Sequence, residues 1–247
     1  MLLSPIHSEA LRHEGTDAPA PHRHAAGQLL RVETGLVTVL TEHSRWTLPP
    51  GCVGWVPPHA LHGAVFQGPT RGVNFYVDAD WAASHLPGDW KVVRCTPLLD
   101  ALLTELHREA ERCRPPAYRD VLADLLQRAP HEALGVPMPV EPRLRRLCEQ
   151  LLARPDDRSD LDDWAARLHV SRRTLTRRFL AETGLSWVQW RQQARLMLAL
   201  ERLVAGQSVT TVALAVGYES LSTFVTLFRA RMGLSPTAWL ARTAAGR

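Results

Sequence analysis

Residues 209–229 read Val209-Thr210-Thr211-Val212-Ala213-Leu214-Ala215-Val216-Gly217-Tyr218-Glu219-Ser220-Leu221-Ser222-Thr223-Phe224-Val225-Thr226-Leu227-Phe228-Arg229. Val209, Val212, Ala213 and Val216 recur at the three-and-four spacing of an amphipathic helix. Gly217-Tyr218 is a turn, Ser220 stands where an N-cap belongs, and Phe224, Leu227 and Phe228 give a second helix its inward face. Helix, tight turn, helix, with polar residues opening the second helix, is the design of a helix-turn-helix, whose second helix enters the major groove.

The same pattern stands upstream. Leu161, Trp164, Ala165 and Leu168 make one face, His169-Val170 the turn, Ser171 the cap, and Leu175 and Phe179 the next inward face. Arg172, Arg173, Arg177 and Arg178 bracket that apolar stripe, more charge than a bundle needs for solubility. Between the two units, Ser186-Trp187-Val188-Gln189 has the form of a capping box. The helix it opens runs to about Val204, roughly 28 Å at ~1.5 Å per residue. Ser235-Pro236 is a further helix start.

Charge follows this division. Residues 1–140 hold 12 Lys and Arg against 15 Asp and Glu, a net −3; residues 141–247 hold 17 against 10, a net +7. Only the C-terminal part is suited to a polyanion.

Working outward, Pro21 to Val77 carries short apolar runs such as Leu36-Val37-Thr38-Val39-Leu40, punctuated by Gly35, Pro49-Pro50-Gly51, Pro57-Pro58 and Gly68-Pro69. That pattern predicts a small sandwich or barrel. Leu98, Leu99, Leu102, Leu103 and Leu106 then predict an amphipathic helix, and Val121, Leu122, Leu125 and Leu126 a second one after Pro115-Pro116. The first of these faces is expected to pair with a second copy of the chain. Pro130, Pro137, Pro139 and Pro142 mark a stiff linker. The fold class is α+β: a β-barrel domain over 1–95, a helical dimerisation segment and linker over 96–140, and an all-α domain over 141–247.

Val212-Ala213, Val216-Gly217-Tyr218-Glu219-Ser220, Ser222, Phe224, Phe228-Arg229, Gly233, Ser235-Pro236 and Trp239 resemble the AraC/XylS signature of transcriptional regulators over about residues 141–243. The resemblance implies two helix-turn-helix units in successive major grooves of double-stranded DNA, about one ~34 Å turn apart. It places Arg173, Thr176 and Arg177 at base-facing positions of the first recognition helix, with Arg172 beside them. Arg suits guanine through two hydrogen bonds. The matching positions of the second helix are Leu221, Ser222, Thr223 and Thr226, with Arg229 on the phosphates. These side chains, Arg229 apart, are short or uncharged, which predicts weak readout through thymine methyls.

His22-Arg23-His24, Gln28 and Gly35 resemble the first cupin motif, with Gln28 where an acid usually stands; Gly51, Pro57 and His62 fit the second. His59 and Phe66 depart from it. Two His at i and i+2 of one strand share a face, and His62 from a neighbouring strand completes a set of imidazoles. Such a set, with Gln28 as a weak fourth partner, suits nickel, zinc, iron(II) or copper without choosing among them. The other reading of these His is a wall of an organic-effector pocket.

Function then reads as a sequence-specific regulator, activator or repressor, answering to a metal ion or small effector, and working as a homodimer. The competing reading is a cupin-type metal-dependent enzyme with a helical accessory domain. Gln28 in place of a carboxylate counts against it, and no hydrolase triad or phosphate loop occurs elsewhere. Cys52, Cys95, Cys113 and Cys148 have no metal-clip spacing and read as reduced thiols. Without an apolar run near ~20 residues, and with acid and His residues in Met1–Glu14, a membrane role is not expected and a cytoplasmic location is.

Overall fold

The structure, a computed structural model, describes residues 6–108 and 116–244. Its chain divides into two compact units. The first is built mainly from the chain up to Thr41 and from Thr47–Ala133; the second joins Glu42–Trp46 to Leu134–Arg242.

Strands of the N-terminal half are β1 (Ile6–His13), β2 (Gly27–Thr34), β3 (Val37–Thr41), β4 (Ser44–Leu48), β5 (Cys52–Val56), β6 (His62–Phe66), β7 (Thr70–Val77) and β8 (Lys91–Arg94). Three helices, α1 (Ala79–His85), α2 (Pro97–Arg108) and α3 (Pro116–Arg128), accompany them. An antiparallel sheet runs β1-β7-β2-β5-β8, and β3 pairs with β6 from Val37↔Phe66 to Thr41↔His62. β5 is buried along its whole length, which explains its unbroken Cys-Val-Gly-Trp-Val run. β1 and β8 lie outside the stretch whose pattern predicts strands. β1, at a sheet edge, buries only Ile6, Ser8 and Leu11, so it carries little apolar signal.

Leu29, Val53, Trp55, Phe75 and Val77 pack with Leu99, Leu103 and Leu106 of α2 and Leu122 and Leu126 of α3 in one core. This corrects the reading of α2. The face expected to meet a second copy is filled by the chain's own sheet, with Leu99 and Leu103 only 2% and 0% exposed. Periodicity finds an apolar face but does not say what covers it. Leu98 is the leucine that α2 turns outward, at 58% exposure.

The second unit contains β9 (Gly135–Pro137) and helices α4 (Pro142–Ala153), α5 (Leu161–Arg167), α6 (Arg172–Thr183), α7 (Trp187–Val204), α8 (Val209–Ala215), α9 (Leu221–Met232) and α10 (Pro236–Ala244). Their ends follow local chemistry. Ser171, Ser208 and Ser220 each accept from an amide of the next turn. Asp160 and Ser186 close reciprocal boxes with Asp163 and Gln189. α6 and α9 stop at Gly184 and Gly233, both left-handed.

The proline-rich stretch is not a free linker. Val136 and Met138 are buried in the core with Leu144, Trp164, Phe179 and Trp190. β9 pairs antiparallel with Ser44–Trp46, Arg45 facing Val136. Met138 N–H donates to the His43 carbonyl at 2.7 Å, and the Trp190 indole N–H to the Pro137 carbonyl at 2.6 Å. Gly135 admits the Trp46 indole; a Cβ there would fall 2.0 Å from Cε3 of that ring. Prolines at 137 and 139 remove only their own donors, so the amides of Val136 and Met138 remain to bond.

Cys52 and Cys148 carry buried thiols and Cys95 a partly buried one, while Cys113 lies outside the described residues. No helix among the described residues is long and apolar enough to cross a membrane.

A DNA-reading surface and a histidine cluster

In the second unit, α5 and α6 form one helix-turn-helix and α8 and α9 the other. Trp164, Ala165, Leu175 and Phe179 are buried in the first, and Val212, Ala213, Val216, Phe224 and Phe228 in the second. Leu161, Leu168 and Leu227, read as inward, are only partly covered. The two turns are equivalent but use different residues. His169 holds φ 54 where Gly217 holds φ 85. A side chain in the left-handed region is strained by roughly 1–2 kcal/mol. At 217 no side chain fits: a Cβ would lie 2.6 Å from Arg195 Nη2 and 2.7 Å from the Pro155 carbonyl oxygen.

Arg195 and Arg191 therefore organise the surface. Both stand on α7, half-buried. Arg195 Nε donates to the Pro155 carbonyl at 3.1 Å, and its guanidinium lies 5.7 Å from the Tyr218 ring. Arg191 donates to the carbonyls of Ser159, at 3.0 Å, and of Asp157. Burial holds both guanidiniums below their ordinary pKa, and the carbonyls offset part of that cost. Thus α7 grips the chain entering α5 and the turn entering α9. Sequence reasoning missed this pair. The signal was available: two Arg four residues apart among Trp190, Ala194 and Met197 mark charges on an apolar face, which need partners.

Arg173, Arg177 and Arg178 stand exposed on α6. Arg172 is exposed too, but its Nη1 donates to Asp162 of α5 at 2.5 Å, which ties the two helices together. Thr176 is exposed and donates its hydroxyl to the Arg172 carbonyl at 2.9 Å. On α9, the hydroxyls of Ser222 and Thr223 lie 3.1 and 2.8 Å from Ser220 Oγ, inside the cap. Thr226 and Arg229 are exposed. The first recognition helix offers free guanidiniums and the second a flat, nearly neutral start.

In the first unit, His22, His24 and His62 come together, with candidate ligand atoms all within 4.8 Å of one another. They do so differently from the two-on-one-strand expectation. His22 and His24 precede β2 in irregular chain, and His22 is held by an isolated bridge to His62, its N–H donating to the His62 carbonyl at 2.8 Å and the return bond at 2.9 Å. The ring centroids are 4.6–5.8 Å apart.

Each Nδ1 faces a carbonyl two residues away. The distances are 3.3 Å from His22 to Ala20, 2.7 Å from His24 to Ala26 and 2.9 Å from His62 to Ala60. A carbonyl only accepts, so Nδ1 carries the proton and Nε2 keeps its lone pair. The Gln28 carboxamide lies 3.2 Å from His24 Nε2 and 2.9 Å from Asn74. It is Gln28 Oε1 that faces His24 Nε2, while the Gln28 Nε2–H donates to Asn74 Oδ1. Burial, together with His22 and His24, holds His62 below the ordinary 6.5, against the pull of the Ala60 carbonyl. Tyr76 stands 5.6 Å edge-on from the His24 ring, and Trp90 5.8 Å from the His62 ring. His59, which replaces a usual motif glycine, takes a left-handed turn conformation, φ 62.

Two capped helix-turn-helix units braced by one 18-residue helix, in a chain that also carries a sheet-built N-terminal unit, define a two-part DNA-binding transcriptional regulator. Comparison with known proteins places it further. Residues 164–242 match the model of a helix-turn-helix domain, and residues 9–112 that of an AraC-like ligand binding domain. The HTH-type transcriptional regulator NimR of Escherichia coli K12 is 31% identical over 236 residues, covering 93% of this chain and 86% of that one. The regulator RipA of Corynebacterium glutamicum is 33% identical over 103 residues, 42% of this chain and 31% of its own. Among solved structures, ToxT of Vibrio cholerae aligns over 97% of this chain and 99% of its own, at 11% identity and a TM-score of 0.42. The chain belongs to the AraC family of transcriptional regulators. Its matched relatives are regulators, and the enzyme reading is set aside with that.

Proposed function

We propose that this regulator answers to a divalent transition metal held by His22, His24 and His62, and reads its operator chiefly through Arg173 and Arg177. The carrying observation is that all three Nδ1 atoms are engaged by carbonyls, which turns three Nε2 lone pairs to one purpose. Ligands on one ion at 2.0–2.1 Å lie about 3 Å apart, and one ring nitrogen from each of the three His lies within 4.8 Å of the others. Gln28, 3.2 Å from His24 Nε2, is spaced as a neighbouring oxygen ligand or as a partner that orients His24. Nickel, zinc, iron(II) and copper all accept imidazole.

Base readout falls to Arg173 and Arg177, with Thr176 offering its methyl. Arg172, paired to Asp162, joins them only on exchanging that carboxylate for a phosphate. Ser222, Thr223 and Thr226 make short contacts in the second groove and Arg229 a phosphate contact. The protein acts in the cytoplasm as a homodimer, for which Leu98, Tyr118 and Val121 are the apolar surface left exposed on α2 and α3.

Elemental analysis of untagged protein, with DNA titrations with and without chelator on wild type and His24→Ala, tests the metal reading. Metal near one equivalent, and chelator-sensitive DNA affinity that His24→Ala abolishes, supports it. Identical operator affinity in all four conditions rejects it. Sedimentation of the purified chain tests the dimer.

A further inference from the structure

We infer that a cation held by His22, His24 and His62 takes a small carboxylate in its open coordination positions, so that the effector is a metal-ligated organic anion. This rests on the metal reading above and adds to it the chemical class of the second ligand.

The argument is one of charge. Imidazoles bind as neutral ligands, so three of them leave the whole charge of a divalent ion uncompensated. Among the described residues, the group of side chains that could hold an ion here is His22, His24 and His62, with no carboxylate in it. Gln28 stands nearest, and an amide oxygen adds no charge. His62 is 5% exposed and His24 partly buried, so water screens the ion less than it would at an open surface. An anion from solution, or hydroxide from a bound water, supplies the missing charge. Three ligands also leave at least one coordination position unfilled by protein.

The surroundings fit an anion with an organic body. His22 is exposed, so the cluster is reached from solvent on its side. Tyr76 and Trp90 stand within 6 Å of the His24 and His62 rings and add aromatic surface beside the cluster. The Gln28 carboxamide donates to Asn74 Oδ1, which leaves the Asn74 amide nitrogen as a donor for an oxygen that does not touch the ion.

The test loads the full chain with cobalt(II), whose visible absorption reports coordination, and titrates acetate, oxalate, chloride and phosphate. The expected result is a saturable spectral change with acetate and a stronger one with oxalate, while chloride and phosphate leave the spectrum unmoved at about 10 mM, where a ligand of 1 mM dissociation constant is largely bound. Gln28→Glu supplies the charge from within; it should keep cobalt and lose about tenfold or more in carboxylate affinity. Gln28→Ala, which removes the amide without adding charge, should keep cobalt and lose less carboxylate affinity than Gln28→Glu, and circular dichroism confirms that each variant folds. Cobalt bound with a spectrum that carboxylates do not move overturns this inference and leaves the metal reading standing. A response to phosphate alone overturns the carboxylate class. Failure to bind cobalt, nickel or zinc overturns both.

Discussion

Arg45 Nη2 donates to both carboxylate oxygens of Glu201, at 2.7 and 2.9 Å. The residues are far apart in sequence yet belong to the same compact unit. Glu201 is 8% exposed and lies on the buried side of α7. Breaking a largely buried pair from one side is costlier than replacing both partners, because the remaining charge loses its ion-pair partner while staying out of water. Arg45→Met should destabilise the second unit by about 3 kcal/mol. Arg45→Met with Glu201→Leu should recover most of that loss. Urea unfolding of the single and double variants measures both. Equal losses in the two would mean that the pair contributes only through packing.

Arg173→Ala and Arg177→Ala should each cost about 1–3 kcal/mol at the specific site and relax preference at one or two base pairs. Arg178→Ala and Arg229→Ala should weaken binding to every sequence alike, with a shallower salt dependence. Titrations against operator and random DNA separate the two classes. An unchanged ratio of specific to random affinity in Arg173→Ala and Arg177→Ala would refute the assignment.

Leu103 sits in the core of the first unit at 0% exposure. Leu103→Ala should cost about 2–5 kcal/mol by transfer and cavity terms, and Leu103→Glu should unfold that unit rather than release a folded monomer. At concentrations where the chain is monomeric, Leu98→Glu should leave thermal stability within about 0.5 kcal/mol. Calorimetry decides, and a folded Leu103→Glu protein would contradict the packing.

The two helix-turn-helix turns give a matched pair of expectations. His169→Gly removes a left-handed side chain and should stabilise by about 1 kcal/mol. Gly217→Ala should destabilise by more than that, since it adds both strain and a collision with Arg195 and Pro155. Thermal melts of the two variants should move in opposite directions.

Burial, with Asp100 beside it, pushes the Cys95 thiol up from 9.0 to about 12. At any pH below 9 it carries about a thousandfold less of the reactive thiolate than an ordinary cysteine. Iodoacetamide should leave it unmodified at pH 8 in the folded protein. A raised folded pKa stabilises below pH 9, and that contribution is lost as pH climbs from 9 toward 12. Rapid alkylation at pH 8 would disprove the burial argument.

What the sequence made legible was local. The caps at Ser171, Ser186 and Ser220, the turns at His169 and Gly217, and the faces of Trp164 and Phe224 all depend on neighbours within a few residues, where spacing carries the physics. The meeting of His22, His24 and His62 was legible from motif spacing, although the strand geometry imagined for it was not the one found. Pairing between Ser44–Trp46 and Gly135–Pro137 was not legible, because a short strand far from its partner leaves no periodic trace. The same holds for α2: a leucine stripe looks identical whether it meets its own sheet or another chain.

The second unit is sewn from two separate stretches of chain, and this bears on how such proteins are cut and recombined. A fragment beginning at residue 134 would carry both DNA-reading helices, yet it would lack the strand that covers β9, the indole that fills the space beside Gly135, and the guanidinium that answers Glu201. Grafting a foreign sensor at that point would transplant a domain with an open seam. A graft that also carries residues 42–46, or that replaces Glu201 with an apolar residue, should give the hybrid a sound body, and gene fusions in nature face the same arithmetic.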